Sequence, residues 1–189
     1  MLESIVLIAV VVLLAVWGIA IYNRLVRLRA LVKEGFSGIT VQLRRRADLV
    51  PNLVSTVEGY AAHEKSVLNE VTAHRADATS ASGVAATAAA DNAFSAMLGR
   101  VIAVAEAYPD LKADDNFRQL QDELSAIEGE LQGARRYYNA TVRDLNTRIQ
   151  SFPDVLFARP LGFAEAEFYA DADASIQQAP KVQFGAAKA

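Results

Sequence analysis

Hydrophobic and polar positions change their spacing several times along the chain, and the first regime is the most extreme. Eighteen consecutive residues from Ile5 to Tyr22 carry no charge, and Ser4 and Asn23 extend the uncharged stretch at either end. At ~1.5 Å rise per residue the run makes a helix of roughly 27 Å, close to the ~30 Å hydrocarbon thickness of a bilayer. Its apolar side chains point in every direction instead of forming one stripe. This pattern predicts a membrane anchor, residues 1–23, with Ile5, Leu7, Val11, Leu14, Trp17 and Tyr22 facing lipid. A cleaved signal peptide is the competing reading, with Gly18-Ile19-Ala20 as its small-residue site. The basic n-region of such a peptide is missing, however, and basic residues follow the run directly.

Beyond the anchor the period becomes helical. Leu28, Val32, Phe36, Ile39 and Leu43 recur at intervals of four, four, three and four, one face of a helix that continues to about Arg46. Gly35 and Gly38 mark either a bend or a close helix contact. Asp48-Leu49-Val50-Pro51 predicts an interruption, with Asp48 as cap and Pro51 in the first turn of a second helix that carries Val50, Leu53, Val57, Tyr60, Val67 and Val71 to about Ala76. Residues 76–93 contain nine Ala among eighteen, with a turn expected over Ser80 to Gly83. A third helix carries Phe94, Leu98, Val101, Ala105 and Tyr108 and ends at Tyr108-Pro109-Asp110.

The most regular segment starts at Asp114 and Asp115. Phe117, Leu120, Leu124, Ile127, Leu131, Ala134, Tyr138, Thr141 and Leu145 alternate spacings of three and four over four heptads, and Ser151-Phe152-Pro153 stops the helix after about 36 residues. Phe157, Leu161, Phe163, Phe168 and Tyr169 are too apolar for a free tail and are expected to lie on the helices. Residues 24–169 therefore read as one all-α domain, an antiparallel up-and-down bundle of long helices behind one transmembrane helix. From Ala170 to Ala189 the Ala-, Asp- and Gln-rich sequence reads as a flexible tail, with Val182 and Phe184 as its apolar positions.

Charge is distributed unevenly around the net value of −3. Residues 1–46 hold seven Lys or Arg against Glu3 and Glu34, and the remainder holds 12 basic against 20 acidic residues. An acidic distal domain repels phosphate, so nucleic acid is not an expected partner. Arg24, Arg27, Arg29 and Lys33 follow the anchor closely and match anionic lipid headgroups. The same charges orient the chain with its amino end out and its helical domain in the cytoplasm.

Segments spread over nearly the whole chain resemble the LemA family of bacterial membrane-anchored helical proteins. They include Tyr22-Asn23 with Leu25-Val26, the run from Gln42 to Val54, Gly59-Tyr60 with His63-Glu64, and Tyr108-Pro109-Asp110-Leu111-Lys112-Ala113. Leu120-Gln121, the run Ala134-Arg135-Arg136-Tyr137-Tyr138-Asn139, and Phe152-Pro153 complete the set. Phe36 stands where the family often has Trp, and the Ala-rich stretch 76–93 is an elaboration of this chain. The resemblance implies an antiparallel helical bundle behind one transmembrane helix at the bacterial inner membrane, and it brings no enzymatic activity with it.

Candidate chemistry is sparse. Arg44, Arg45 and Arg46 form the densest charge and are read, with Asp48, Arg135 and Arg136, as interhelical ion pairs; Glu58, Glu123 and Glu128 are the expected partners, and a docking patch is the alternative. His63 and His74 are eleven residues apart, roughly 16 Å along a helix, too far for one metal, and neither has the Glu-x-x-His pattern of a di-iron bundle. The chain has no Cys, no Gly-x-Ser-x-Gly turn and no phosphate-binding Gly-rich loop, so no cofactor is expected. Tyr60, Tyr108, Tyr137, Tyr138 and Asn139 are expected to make hydrogen bonds between helices, with a binding groove as the alternative. The functional expectation is a non-enzymatic structural or interaction protein, self-assembling through its heptad faces as a homo-oligomer at the lipid bilayer. An adaptor docking another membrane or soluble protein through Arg44–Arg46 and Val182–Phe184 is the second reading, and an enzyme or small-molecule sensor the third.

Overall fold

The computed structural model describes residues 2–170, and all regular structure among them is helical. Helix α1 spans Leu2–Tyr60, α2 Lys65–Ser80, α3 Val84–Glu106, α4 Pro109–Ala113, α5 Asp115–Gln150 and α6 Val155–Ala158. The expected tail over 170–189, including Val182–Phe184, lies outside the described residues from 171 onward.

Helix α1 is the spine. Its 59 residues make a rod of ~88 Å, and its character changes along its length. Leu2 to Ala20 is almost bare of protein cover, whereas from Ile21 onward one side is buried. The break expected at Asp48 to Pro51 does not occur, and α1 runs through Pro51 to Tyr60. A proline inside a helix lacks the N–H that should bond the carbonyl four residues back, here that of Ala47. Arg75 on α2 supplies the missing donor: its Nε donates to the Ala47 carbonyl at 2.7 Å. Its Nη2 lies 3.9 Å from the Asp48 carboxylate, so Asp48 pairs across helices instead of capping one. The actual break falls later, in the turn between Tyr60 and Lys65.

The next turn is as expected, with α2 ending at Ser80 and Gly83 at φ +84°, a left-handed conformation that glycine adopts without strain. Helix α5 also begins and ends where its pattern predicts. The Asp114 carboxylate accepts from the Phe117 N–H at 2.9 Å and caps it.

Helices α1 and α5 form an antiparallel pair. Gly35 lies against Tyr138, where a Cβ on the glycine would come within 3.1 Å of the Tyr138 Cα, so the close helix contact is the correct reading of Gly35. Nothing lies within 4 Å of a Cβ on Gly38. The heptad face of α5 is buried in this pairing from Phe117 through Leu145, with Leu124 and Ala134 half-buried. That face, read as a surface for homotypic contact, is occupied inside the protomer.

Two apolar cores result. A distal one joins α1 beyond Ala47 to α2, α3, α4 and the start of α5, around Val50, Leu53, Val71, Phe94, Val101 and Phe117. A second, nearer the bare end of α1, gathers Leu25, Ile39, Leu131, Tyr138, Phe163 and Tyr169. The chain after α6 closes the second core as an extended strap along α5, with Phe163 and Tyr169 buried and Leu161 and Phe168 exposed.

Candidate functional site

The strap is held by two asparagines. The Asn146 amide donates to the Ala166 carbonyl at 2.9 Å, and its oxygen accepts from the Ala166 N–H at 2.8 Å. Asn139 repeats the arrangement on Tyr169, at 3.1 Å and 2.9 Å. Seven helical residues advance ~10.5 Å and three extended residues ~10 Å, so the two spacings match and the strap runs antiparallel to α5. The Tyr138 hydroxyl donates to the Glu167 carbonyl at 2.7 Å between them. Burial raises the Tyr138 hydroxyl above its ordinary 10.0, with Glu167 adding to it.

This clamp delivers the Tyr169 ring to a buried charge cluster between the two cores. Its centre is Asp91 on α3, with no solvent exposure. One carboxylate oxygen pairs with Arg46 of α1. The other pairs with Arg135 of α5 and accepts from the Tyr169 hydroxyl at 2.7 Å. Arg46 also reaches Glu128 at 3.1 Å and donates to the Ser95 hydroxyl at 2.9 Å, while Arg135 lies 3.6 Å from Glu128. Two guanidinium groups thus face two carboxylates, which is the balance that burial of charge demands. Each arginine also stacks on a ring, Arg46 at 5.0 Å from the Phe94 centroid and Arg135 at 5.6 Å from that of Tyr169.

The titration behaviour of the site follows from its burial. Tyr169 is pushed well above ordinary phenol values, first by burial and then by the neighbouring Asp91 carboxylate. Burial alone would lower the Arg135 guanidinium, but Asp91 and Glu128 outweigh it and hold it above its ordinary value. Neither group is poised to exchange a proton near neutral pH. Among the described residues no group of three His, Cys, Asp or Glu is arranged to hold a metal ion.

The residues singled out in the sequence divide into three sets. Ile5, Leu7, Val11, Leu14, Trp17 and Tyr22 all lie on the bare part of α1 or at its edge, exposed. Arg24, Arg27, Arg29 and Lys33 follow on exposed positions, and the Arg29 guanidinium covers the Phe163 ring at 4.8 Å. In the third set Arg45 pairs with Glu130 at 2.7 Å, Arg46 and Arg135 meet at Asp91, and Asp48 meets Arg75. Arg44 and Arg136 depart from the expected pairing within the protomer: both are exposed, and neither has an ion-pair partner among the described residues. Of the expected acidic partners Glu128 serves and Glu58 and Glu123 do not; Asp91 and Glu130 take their place.

Among the tyrosines, Tyr138 bonds the strap and the Tyr60 hydroxyl donates to Asp114 at 3.0 Å, while Tyr137 stays 46% exposed. Asp91, Asn146, Arg75 and the polar role of Tyr169 are not evident from the sequence. One signal for Asp91 is available, since it is the only charged residue between Asp77 and Arg100, in an apolar helix.

A groove of roughly 440 Å³ opens beside the cluster between α3 and α5. Leu98, Gly99, Ile102, Leu124 and Ser125 line it, with Arg46 and Glu128 at one end.

The description "LemA family" is matched by residues 35–184 of the chain. Among curated proteins, magnetosome proteins MamQ 2 and MamQ 1 of Paramagnetospirillum magneticum are each 26% identical over 174 residues, covering 78% of this chain. Magnetosome protein MamQ of Magnetospirillum gryphiswaldense is 24% identical over the same length. The chain spans about 64% of the length of these relatives. The family match covers the strap-bearing α5, the buried arginines and most of the protein-covered part of α1, and on that extent the chain belongs to the LemA family.

Proposed function

We propose that this chain is a non-enzymatic, single-pass membrane protein whose helical domain serves contacts with other proteins at the membrane surface. One observation carries the reading: α1 is a single uninterrupted helix whose bare apolar part, Leu2 to Ala20, continues without a joint into the spine of the bundle. A domain fused rigidly to its own anchor keeps a fixed height and orientation above the bilayer. The basic residues Arg24, Arg27, Arg29 and Lys33 favour the cytoplasmic side for that domain, with the amino end outside. Copies held in one plane and one orientation meet at raised local concentration, so weak lateral contacts suffice for a homo-oligomer. With the heptad face of α5 used internally, the apolar groove between α3 and α5 is the surface proposed for such a contact.

Multi-angle light scattering of the full chain in mild detergent, after recovery from carbonate-washed membranes, tests this. The expected result is a membrane-retained oligomer whose mass falls when Gly99→Arg fills the groove. A monodisperse monomer, unchanged at low salt, overturns self-assembly.

The adaptor reading is favoured by one feature, the exposed Arg44, without an ion-pair partner among the described residues, beside the engaged Arg45 and Arg46. On that reading Arg44→Glu abolishes co-purification of a bound partner with helicity intact, whereas Arg46→Glu destabilises the fold itself.

A further inference from the structure

The turn that follows α5 reaches back past the level at which α1 loses its protein cover. Helix α5 ends at Gln150, and Gly35 opposite Tyr138 fixes the antiparallel register, which puts Gln150 near residue 23 of α1. The chain then continues toward the bare end. The Phe157 ring of α6 packs edge-on against Trp17 at 5.8 Å, and Phe163 returns to Tyr22 at 5.7 Å and to Arg29. Trp17 lies five residues inside the charge-free run that Tyr22 closes, ~7.5 Å along the helix axis.

On either side of Phe157 the turn presents apolar side chains outward. Phe152 is 79% exposed, Leu156 61% and Leu161 46%, all within ten residues. Only two charged groups occur from Phe152 to Ala164. Asp154 is fully buried and ion-paired with Arg148. Arg159 is exposed on a long stem that can reach back to the surface. The apolar surface of the turn is continuous with that of α1 through Phe157 on Trp17.

We propose that residues 151–162 are a second membrane element, an interfacial wedge whose Phe152, Leu156 and Leu161 insert at the boundary of headgroups and acyl chains beside α1, with Arg159 at headgroup level. The occupant of this apolar face is the lipid of the bilayer that holds α1. Amphipathic segments that lie in the interface bury their apolar side ~5–10 Å deep, and the reach of Phe157 beyond Tyr22 falls in that range. The wedge gives the rigid rod a second point of contact, which fixes its tilt and its rotation about its own axis. This inference rests on the anchoring of α1 proposed above.

Trp17 is the sole tryptophan, so one residue at a time can report depth. The full chain is reconstituted in phosphatidylcholine and phosphatidylglycerol vesicles, with and without bromine on the upper part of the acyl chains. Unsubstituted protein reports the anchor through Trp17. Two further proteins carry Trp17→Phe, which keeps a ring on Phe157, together with either Leu156→Trp or Phe168→Trp. Phe168 is also exposed but sits beside Tyr169 at the level of Asn139, ~18 Å above Tyr22. The expected result is about twofold bromine quenching of Leu156→Trp and no quenching of Phe168→Trp. Phe152→Trp should behave as Leu156→Trp does, which guards against a local distortion at one position. Equal quenching at 156 and 168, or a blue-shifted but unquenched signal at 156 from cover by protein, overturns the wedge. An unquenched Trp17 overturns the anchor itself, so the two failures are distinguishable.

Discussion

The two cores of this protein are closed by different means. The distal core is helix on helix: α1, α2, α3 and α5 each turn an apolar stripe inward, and the turns are cut by a capping Asp114 and a left-handed Gly83. The core nearer the bare end of α1 rests mainly on two long helices, α1 and α5, with only Ala88 and Val84 from the start of α3. Its open side is sealed by an extended strap whose backbone is bonded to asparagine side chains. Helices satisfy their own backbone groups, whereas a strap must find a partner for each one, so the second core depends on a few specific polar side chains where the first depends on many interchangeable apolar ones. Asp91 stands between them, bonded to α1, α5 and the strap at once.

Breaking that junction should have the largest effect, since both cores share it. Asp91→Ala leaves two buried guanidinium groups with half their compensation, and the expected loss is about 3–5 kcal/mol, read as a lower urea midpoint. Next is the strap alone. Asn139→Ala with Asn146→Ala removes four hydrogen bonds, with an expected cost of about 2–3 kcal/mol. Hydrogen exchange should accelerate at the Ala166 and Tyr169 amides while the amides of Leu53 and Val57 in α1 keep their protection; equal acceleration everywhere would show that the cores are one cooperative unit.

The distal core has its own weak point. Arg75→Met strands the Ala47 carbonyl and should cost about 1–2 kcal/mol. In a Pro51→Ala background the residue at 51 regains an N–H for that carbonyl, and the cost of Arg75→Met should shrink; an unchanged cost would mean that Arg75 matters only for packing.

The smallest effects separate the cores by pH. Tyr169 and Tyr138, near the strap, have hydroxyls raised above 10.0, while in the unfolded chain they ionise near that value. The unfolded state therefore loses protons first, and stability is full below about pH 10 and declines as pH rises beyond it. Tyr169→Phe should flatten this alkaline limb. Asp114, at the distal end, is held below its ordinary 3.8, chiefly by the Phe117 N–H and then by the Tyr60 hydroxyl. Its contribution is present above that value and is lost as pH falls from there through the lower folded value, so a thermal-melting profile across pH should show a small drop at its acid end.

Much of this is legible in the sequence because helix periodicity is a local property. The bare run of α1, the turn at Gly83, and both ends of α5 follow from residue spacing and caps within a few positions. The buried arginines are half legible: Arg46 falls on the apolar stripe of Ile39, Leu43, Val50 and Leu53, and Arg135 on that of Leu131, Tyr138 and Val142, which marks them as inward. Their common partner is not, because Asp91 lies 45 residues from Arg46 and 44 from Arg135. Proline at position 51 misleads for a related reason. The local rule ends a helix there, and only a donor on another helix, 28 residues from the stranded carbonyl, lets it continue.

The sequence by itself determined the rods: which segments are helical, where most of them stop, and that the first is apolar enough to cross a bilayer. Tertiary structure decided what those rods hold between them. Asp91 needed two arginines from different helices, Pro51 needed Arg75, and the Asn139 and Asn146 side chains needed an extended strap at matching spacing. A helix can be read from neighbours because its hydrogen bonds close within four residues; a buried charge or an unpaired carbonyl is satisfied only by whatever the folded chain brings to it.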